Sequence, residues 1–177
     1  MYKILITGLP SVGKTTLIKK ITENYKDFVI GFWTEEIRDK NKNRVGFRIK
    51  TTLNTEAIFA SIDHNSKYVV GKYKVDIVTF EKLALPVLKL ALNTENKITI
   101  IDEIGKMELF SNKFIQILEK MFSINYKPII ATLPCKLVHP IQKKIIQENN
   151  VKIFNLTFQN RDLLTKEIFS SINNFIQ

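Results

Sequence analysis

Eight consecutive residues, Gly8-Leu9-Pro10-Ser11-Val12-Gly13-Lys14-Thr15, match the pattern G-x-x-x-x-G-K-[ST]. A polyphosphate needs many hydrogen-bond donors close to its oxygens. Glycines at both ends let the backbone curl so that successive N–H groups point inward. A helix starting near Lys14 adds the positive end of its dipole. Lys14 is then expected to reach the β- and γ-phosphates of a nucleoside triphosphate, and the Thr15 hydroxyl to bind Mg2+. Thr16 is expected to touch the α-phosphate through its backbone or hydroxyl. The bland alternative is a glycine-rich strand-to-helix turn that holds nothing.

Such a loop needs a second element to hold the metal and the attacking water. An acid at the end of an apolar strand beside the first would serve. Ile98-Thr99-Ile100-Ile101-Asp102-Glu103 has that form. Asp102 is the expected Mg2+ ligand, directly or through water. Glu103 stands where a carboxylate can orient or deprotonate a water in line with the γ-phosphate. Gly105 is read as permitting close backbone approach to that phosphate. Glu108 is either a partner of Lys106 or a further acid behind the site. Outside a phosphate-loop protein the same Asp102 and Glu103 would read as surface acids.

Hydrolysis also needs positive charge on the γ-phosphoryl oxygens in the transition state. The chain has four arginines, Arg38, Arg44, Arg48 and Arg161. Arg161, which opens the last helix on the side where a base would lie, and Arg38 rank ahead of Arg48. Phe32, Trp33 and Phe47 could stack on a base, though a core role is commoner for such residues. His64 and His139 lack metal-ligand spacing, and Cys135 reads as a buried or half-buried thiol without chemistry.

The elements that must position these groups are visible in the pattern. Tyr2 to Thr7 is an apolar strand, followed by the glycine loop and a helix with Leu17, Ile18 and Ile21 at helical spacing. Phe28 to Thr34 is a second strand candidate, running into a polar turn at Asp39 to Asn43. Val45 to Lys50, Glu56 to Ile62 and Tyr68 to Val75 read as strands of a meander. Thr79 is a candidate cap for the next helix, which Pro86 should break or kink. Lys97 to Asp102 is a strand, Ser111 to Phe122 an amphipathic helix, and Pro128 to Thr132 a strand. His139 to Gln147 is a short helix, Val151 to Asn155 the last strand and Asn160 to Phe175 the last helix. Strands alternating with helices imply an α/β fold, a three-layer sandwich on a mostly parallel sheet. The β-rich antiparallel stretch at about 35–77 is an insertion in a single domain over 1–177.

Composition agrees with a soluble globular chain of 177 residues, 45% hydrophobic and 25% charged. A domain of this size buries roughly 70% of its unfolded surface, enough for a core without disulfides. The net charge of +10 is carried mostly by lysines scattered along the chain. Scattered lysine reads as a solvated surface that attracts polyanions; nucleic acid as a partner is not indicated by it. One cysteine excludes an internal disulfide. No apolar run approaches the ~20 residues of a spanning helix, and no signal peptide is recognisable. The expectation is a cytoplasmic monomer that uses no membrane.

GLPSVGKTTL, GFWTEEIR, VGFRI, VGKYKVDIVTFEKLALPVL, IDEIGKMELF and FNLTFQNRDLL, in this order, resemble the small THEP-type nucleoside triphosphatases, also called cancer-related NTPases. The resemblance spans nearly the whole chain. It implies a P-loop NTPase domain of the class with an extra strand between the two nucleotide motifs. It also implies conversion of NTP (ATP, GTP, CTP or UTP) to NDP and phosphate, with broad base tolerance and slow turnover. By position, Gly8 to Thr15 would be the phosphate loop and Ile98 to Gly105, including Ile104, the second nucleotide-contacting segment. The family's loop usually has Pro after the first Gly and Gly before the Val; here these are Leu9 and Ser11. Ser11 bears on loop flexibility and hence on turnover more than on binding.

Two other classes compete with hydrolysis. A small nucleotide or metabolite kinase would carry a water-excluding lid with several arginines. The only arginine-bearing insertion, Arg38 to Arg48, reads as β-rich, which favours hydrolysis. An NTP-dependent regulatory module is the third class.

Overall fold

The computed structural model describes residues 3–177. Tyr2, at the start of the first expected strand, lies outside them. Strands β1 (Lys3–Thr7), β2 (Val29–Arg38), β3 (Arg44–Thr51), β4 (Glu56–Ser61), β5 (Val69–Val70), β6 (Tyr73–Val75), β7 (Ile98–Ile101), β8 (Ile129–Thr132) and β9 (Val151–Asn155) join in one sheet. Their spatial order is β5-β6-β4-β3-β2-β7-β8-β1-β9. Pairings β2–β7, β7–β8, β8–β1 and β1–β9 are parallel. Those from β2 outward through β3, β4, β6 and β5 are antiparallel. The chain is thus α/β, with a mixed sheet.

The helices are α1 (Lys14–Asn24), α2 (Ile77–Asn93), α3 (Asn112–Ser123), α4 (Pro140–Ile146) and α5 (Arg161–Ile176). Alternation along the strands sorts the core into two apolar clusters. Ile4 and Ile6 of β1 and Ile98 and Ile100 of β7 pack with Leu17, Ile18 and Ile21 of α1 and Leu164, Ile168 and Ile172 of α5. Leu5, Phe32, Ile101 and Ala131 pack instead with Phe80 and Leu88 of α2, Phe114 and Leu118 of α3 and Ile141 of α4. Period-2 strands between period-3.6 helices leave the sheet's carboxyl ends free for chemistry. No helix among the described residues is long and apolar enough to cross a membrane.

Several local expectations are corrected. Strand β7 is not beside β1: β8 pairs with both and lies between them. The strand expected at Phe28–Thr34 continues to Arg38, because its second half pairs with β3 along the far edge. Gly31 permits its close approach to β7, since a Cβ there would lie 1.9 Å from the Ile100 carbonyl oxygen. The expected strand Tyr68–Val75 is two short strands turning at Gly71, whose φ is +58°. Asp76, not Thr79, caps α2: its Oδ1 accepts the Thr79 N–H at 3.0 Å. Pro86 does not break that helix. Burial of Ala84, Leu85, Val87, Leu88 and Ala91 around it outweighs the roughly 3 kcal/mol a helical proline costs. Cys135 is exposed, in the loop after β8.

A single 3-10 turn, Glu108–Phe110, follows β7 and buries Glu108 to 5% exposure. Burial first, and then the neighbouring Glu103 carboxylate, push the Glu108 carboxyl up to about 8. A carboxyl raised in the fold binds a proton that the unfolded chain releases near 4.5. Its contribution to stability is complete below that pH and is lost as pH rises through about 8. Glu108→Gln, which holds the neutral shape, is expected to flatten this part of the profile and to stabilise the protein at about pH 8 relative to its parent. Urea unfolding of both proteins between about pH 5 and pH 8 measures it.

Candidate functional site

The glycine-rich loop joins β1 to α1 at the carboxyl edge of the sheet. Two of its glycines have positive φ: Gly8 at +151° and Gly13 at +111°. A Cβ on Gly8 would come within 2.5 Å of the Leu156 carbonyl oxygen in the next strand's exit, so glycine is required there. Ser11 also takes a left-handed φ of +62°, a region costly for a residue with a Cβ. Leu9, Pro10 and Ser11 form the exposed tip, and Val12 anchors the loop in the core. Lys14 opens α1 and bends back over the loop, donating to the Gly8 carbonyl at 3.0 Å and the Leu9 carbonyl at 3.4 Å. Thr16 lies exposed one residue beyond Thr15.

The two chemical segments meet. Thr15 Oγ1 donates to Asp102 Oδ2 at 2.8 Å, across 87 positions of sequence. Asp102 is 1% exposed at the end of β7. Its other oxygen, Oδ1, accepts the Thr132 hydroxyl at 2.6 Å from the end of β8, and the Thr34 backbone N–H adds to the pull favouring the charged form. Burial pushes the Asp102 carboxyl above its ordinary range, opposed by these hydrogen bonds and by the Lys14 charge. Glu103, half-buried, is also pushed up by burial, with Lys14 opposing and Asp102 reinforcing the shift.

The loop after β7 is pinned from below. The Ile104 N–H bonds the Thr132 carbonyl at 2.9 Å, and its carbonyl accepts Gln142 Nε2 at 2.8 Å. Gly105 is also closely packed against acids on its side-chain side. A Cβ there would sit 2.9 Å from Glu108 Oε2, so its bareness leaves room for that carboxylate, while Glu103 Oε2 at 3.5 Å is at ordinary contact distance. Ile98, Thr99, Ile100 and Ile101 are buried in β7, so their side chains fill the core and line neither cavity described below.

Two cavities flank the loop. One of about 260 Å3 lies between α1 and the entrance to α5, lined by Val12, Gly13, Thr16, Lys20, Leu156 and Arg161 among others. The other, of about 640 Å3, spreads from Lys14, Thr15, Asp102 and Glu103 across the sheet to Arg38 and Arg44. The structure therefore separates the two leading arginines. Arg38 shares the cavity of Lys14 and Glu103, whereas Arg161 is on the opposite side. Arg48 is in neither and pairs with Glu56 at 2.9 Å. Phe32 is wholly in the core, and Trp33 bonds Glu35 through Nε1 at 3.2 Å. His139 caps α4.

The sequence reading does not single out Arg44 and Thr34, which line the larger cavity, or Thr132, which is buried behind Asp102. Arg44, Thr34 and Thr132 reach the site only through strand pairing. Thr132 carries a faint signal, as the polar residue ending the apolar strand β8.

Oxygen donors dominate the centre. Thr15 and Asp102 offer a hydroxyl and a carboxylate 2.8 Å apart, which suits a hard cation that keeps waters and takes its remaining ligands from phosphate. No cluster of three or more His, Cys, Asp or Glu able to cage a metal by protein alone occurs among the described residues.

The sequence model of the NTPase family matches residues 3–169. The chain is 46% identical over 173 residues to nucleoside-triphosphatase THEP1 of Aquifex aeolicus, covering 95% of this chain and 97% of the relative. It is 37% identical to the human cancer-related nucleoside-triphosphatase, over 96% of this chain and 95% of the relative. The crystal structure of THEP1 from Aquifex aeolicus superposes with a TM-score of 0.90 at 44% identity, covering 96% of this chain and 98% of that one. With agreement in sequence and fold reaching from β1 into α5, this chain belongs to the NTPase family.

Proposed function

We propose that the protein is a nucleoside triphosphatase that cleaves ATP, GTP, CTP and UTP to the diphosphate and phosphate with Mg2+. The whole chain, 1–177, acts as one P-loop domain whose β-rich part, about 35–77, walls the γ-phosphate side. The observation that carries this reading is the 2.8 Å contact between Thr15 and Asp102, which joins the phosphate loop to a buried carboxylate. Relatives named as nucleoside-triphosphatases support it.

The loop amides and the α1 dipole hold the phosphates. Lys14 neutralises charge on the β- and γ-phosphates. Thr15 and Asp102 hold Mg2+, which supplies Lewis-acid charge on the phosphate oxygens when bound. Glu103 orients a water against the γ-phosphorus and takes its proton as the new P–O bond forms. The bond to the β–γ bridging oxygen breaks, and the diphosphate leaves. Arg38 offers positive charge on the γ side.

The base and ribose lie toward the smaller cavity, where Arg161 contributes to binding. That cavity is small, about 260 Å3, and exposed Thr16, Lys20 and Asp162 offer no enclosed donor–acceptor pair to select one base. Broad base tolerance follows.

Phosphate release with each of the four triphosphates tests the reading. Glu103→Gln is expected to lower kcat by roughly 10²-fold or more with little change in KM, and Lys14→Ala to abolish saturable turnover. A Glu103→Gln protein as fast as its parent would sink the assignment of the water-positioning base. Chelation should stop release and added Mg2+ restore it, whereas persistence in excess chelator would remove the metal from the scheme. Arg38→Ala is expected to act on kcat and Arg161→Ala on KM, an order that steady-state kinetics can reverse.

A further inference from the structure

Hydrolysis needs little room on the γ side beyond the phosphates themselves. A water occupies about 30 Å3. The cavity that begins at Lys14 and Thr15 is about 640 Å3 with the phosphate space included, and it runs on past Glu103 to a second group of side chains, within the size range of small-molecule sites. Its far wall is not made by the phosphate loop. Glu36 and Arg38 come from β2, Arg44 and Phe47 from β3, and Val70 from β5.

That wall is built rather than incidental. Strand register pairs Glu36 with Phe47 and Arg38 with Arg44, while Ile37 pairs with Gly46, so Val45 is an extra, bulged residue. The bulge turns Arg44 onto the same face as Phe47, Glu36 and Arg38. Arg44 is then fixed from three sides. Its Nε donates to Tyr73 Oη at 2.9 Å, Nη1 donates to Glu36 Oε1 at 2.7 Å, and the guanidinium lies over the Phe47 and Tyr73 rings at 5.3 and 5.6 Å. Tyr73 is itself locked, being 7% exposed and donating back to the Arg44 carbonyl at 3.2 Å. Arg44 Nη2 has no hydrogen-bond partner among the described residues. Arg38 bonds Glu36 and the Lys42 carbonyl, leaving its Nε free in the same sense. Two guanidiniums share one carboxylate, so the trio keeps a net positive charge.

A phosphate suits the spare guanidinium donors, and a flat apolar ring suits Phe47 and Val70. We propose that this wall is a second-ligand subsite for a nucleoside monophosphate, which accepts the γ-phosphoryl group when it displaces the hydrolytic water. In the transfer, a phosphate oxygen of the monophosphate bonds to the γ-phosphorus and the β–γ bridging bond breaks. The donor leaves as a diphosphate, and the acceptor becomes a diphosphate with the same total charge. This rests on the reading of the phosphate loop given above. It differs from it in the acceptor: a monophosphate in place of water.

The test uses the full chain, Mg2+ and ATP labelled on the γ-phosphate, with AMP, GMP, CMP, UMP or dTMP added in turn. Labelled free phosphate without acceptor reports hydrolysis; a labelled nucleoside diphosphate reports transfer. The expected result is labelled diphosphate with at least one monophosphate. Arg44→Ala should lower that product about tenfold or more, and Phe47→Leu, which keeps apolar bulk, should lower it severalfold. Arg48→Ala, outside the cavity, should leave it unchanged. Free phosphate in the absence of acceptor should persist in Phe47→Leu. Hydrolysis with no labelled diphosphate from any of the five monophosphates overturns the subsite and leaves the triphosphatase intact. So does product formation that Arg44→Ala and Phe47→Leu leave untouched. Loss of both products in the parent protein would instead overturn the triphosphatase reading itself.

Discussion

A carboxylate is the group least suited to burial, and Asp102 is 1% exposed. It survives there because both oxygens are bonded, Oδ2 to Thr15 and Oδ1 to Thr132. These partners come from α1 and from the end of β8. One side chain at the end of β7 therefore ties the start of α1 to the neighbouring strand β8. Losing any one bond would leave part of a buried charge unpaired, which is far costlier than losing a surface ion pair. The same network fixes the Thr15 hydroxyl, so the oxygen donors face one another before any ligand is considered.

The sheet order makes this geometry possible. With β8 between β1 and β7, Asp102 cannot touch the glycine loop through its own strand's neighbour. It reaches the loop at the strand ends, where β1 and β7 both release the chain into turns. Thr132 fills the gap that the intervening strand creates. Beneath the site, Glu108 crowds the bare Gly105 and Glu103 lies beside it. Three acids within one loop would repel if all were ionised, and burial keeps Glu108 protonated up to about 8. Burial pushes the Glu103 carboxyl upward as well, and there the Lys14 charge opposes the shift.

The phosphate loop was legible because everything that defines it is local. Glycine spacing, the apolar strand before it and the amphipathic helix after it all fall within one short stretch. Asp102 was legible for the same reason, as an acid ending an apolar run. The α/β alternation and most helix bounds followed from periodicity. What failed were inferences about neighbours. Thr79 reads as the cap on α2, although Asp76 lies three residues earlier with a better-placed acceptor. Pro86 looked decisive alone, but the buried face of α2 outweighs it. Cys135 looked apolar by type, yet its exposure depends on a loop path that no residue pattern announces.

The arginines show most clearly why the remainder could not be read. On a regular strand, residues four apart share a face, so Arg44 and Arg48 should point the same way and Phe47 the other. One bulged residue, Val45, reverses this for Arg44. Arg44 then joins Phe47 and Glu36 in the cavity, while Arg48 turns out to Glu56. A one-residue slip moves a side chain from one face to the other. Its position is decided by pairing between β2 and β3, not by either strand alone. The chemistry of the cavity wall is therefore written in register. A sequence reading that ranks arginines by the element each one opens or follows puts Arg161 and Arg38 first and passes over Arg44, the one whose guanidinium is held by a tyrosine, a carboxylate and two aromatic faces.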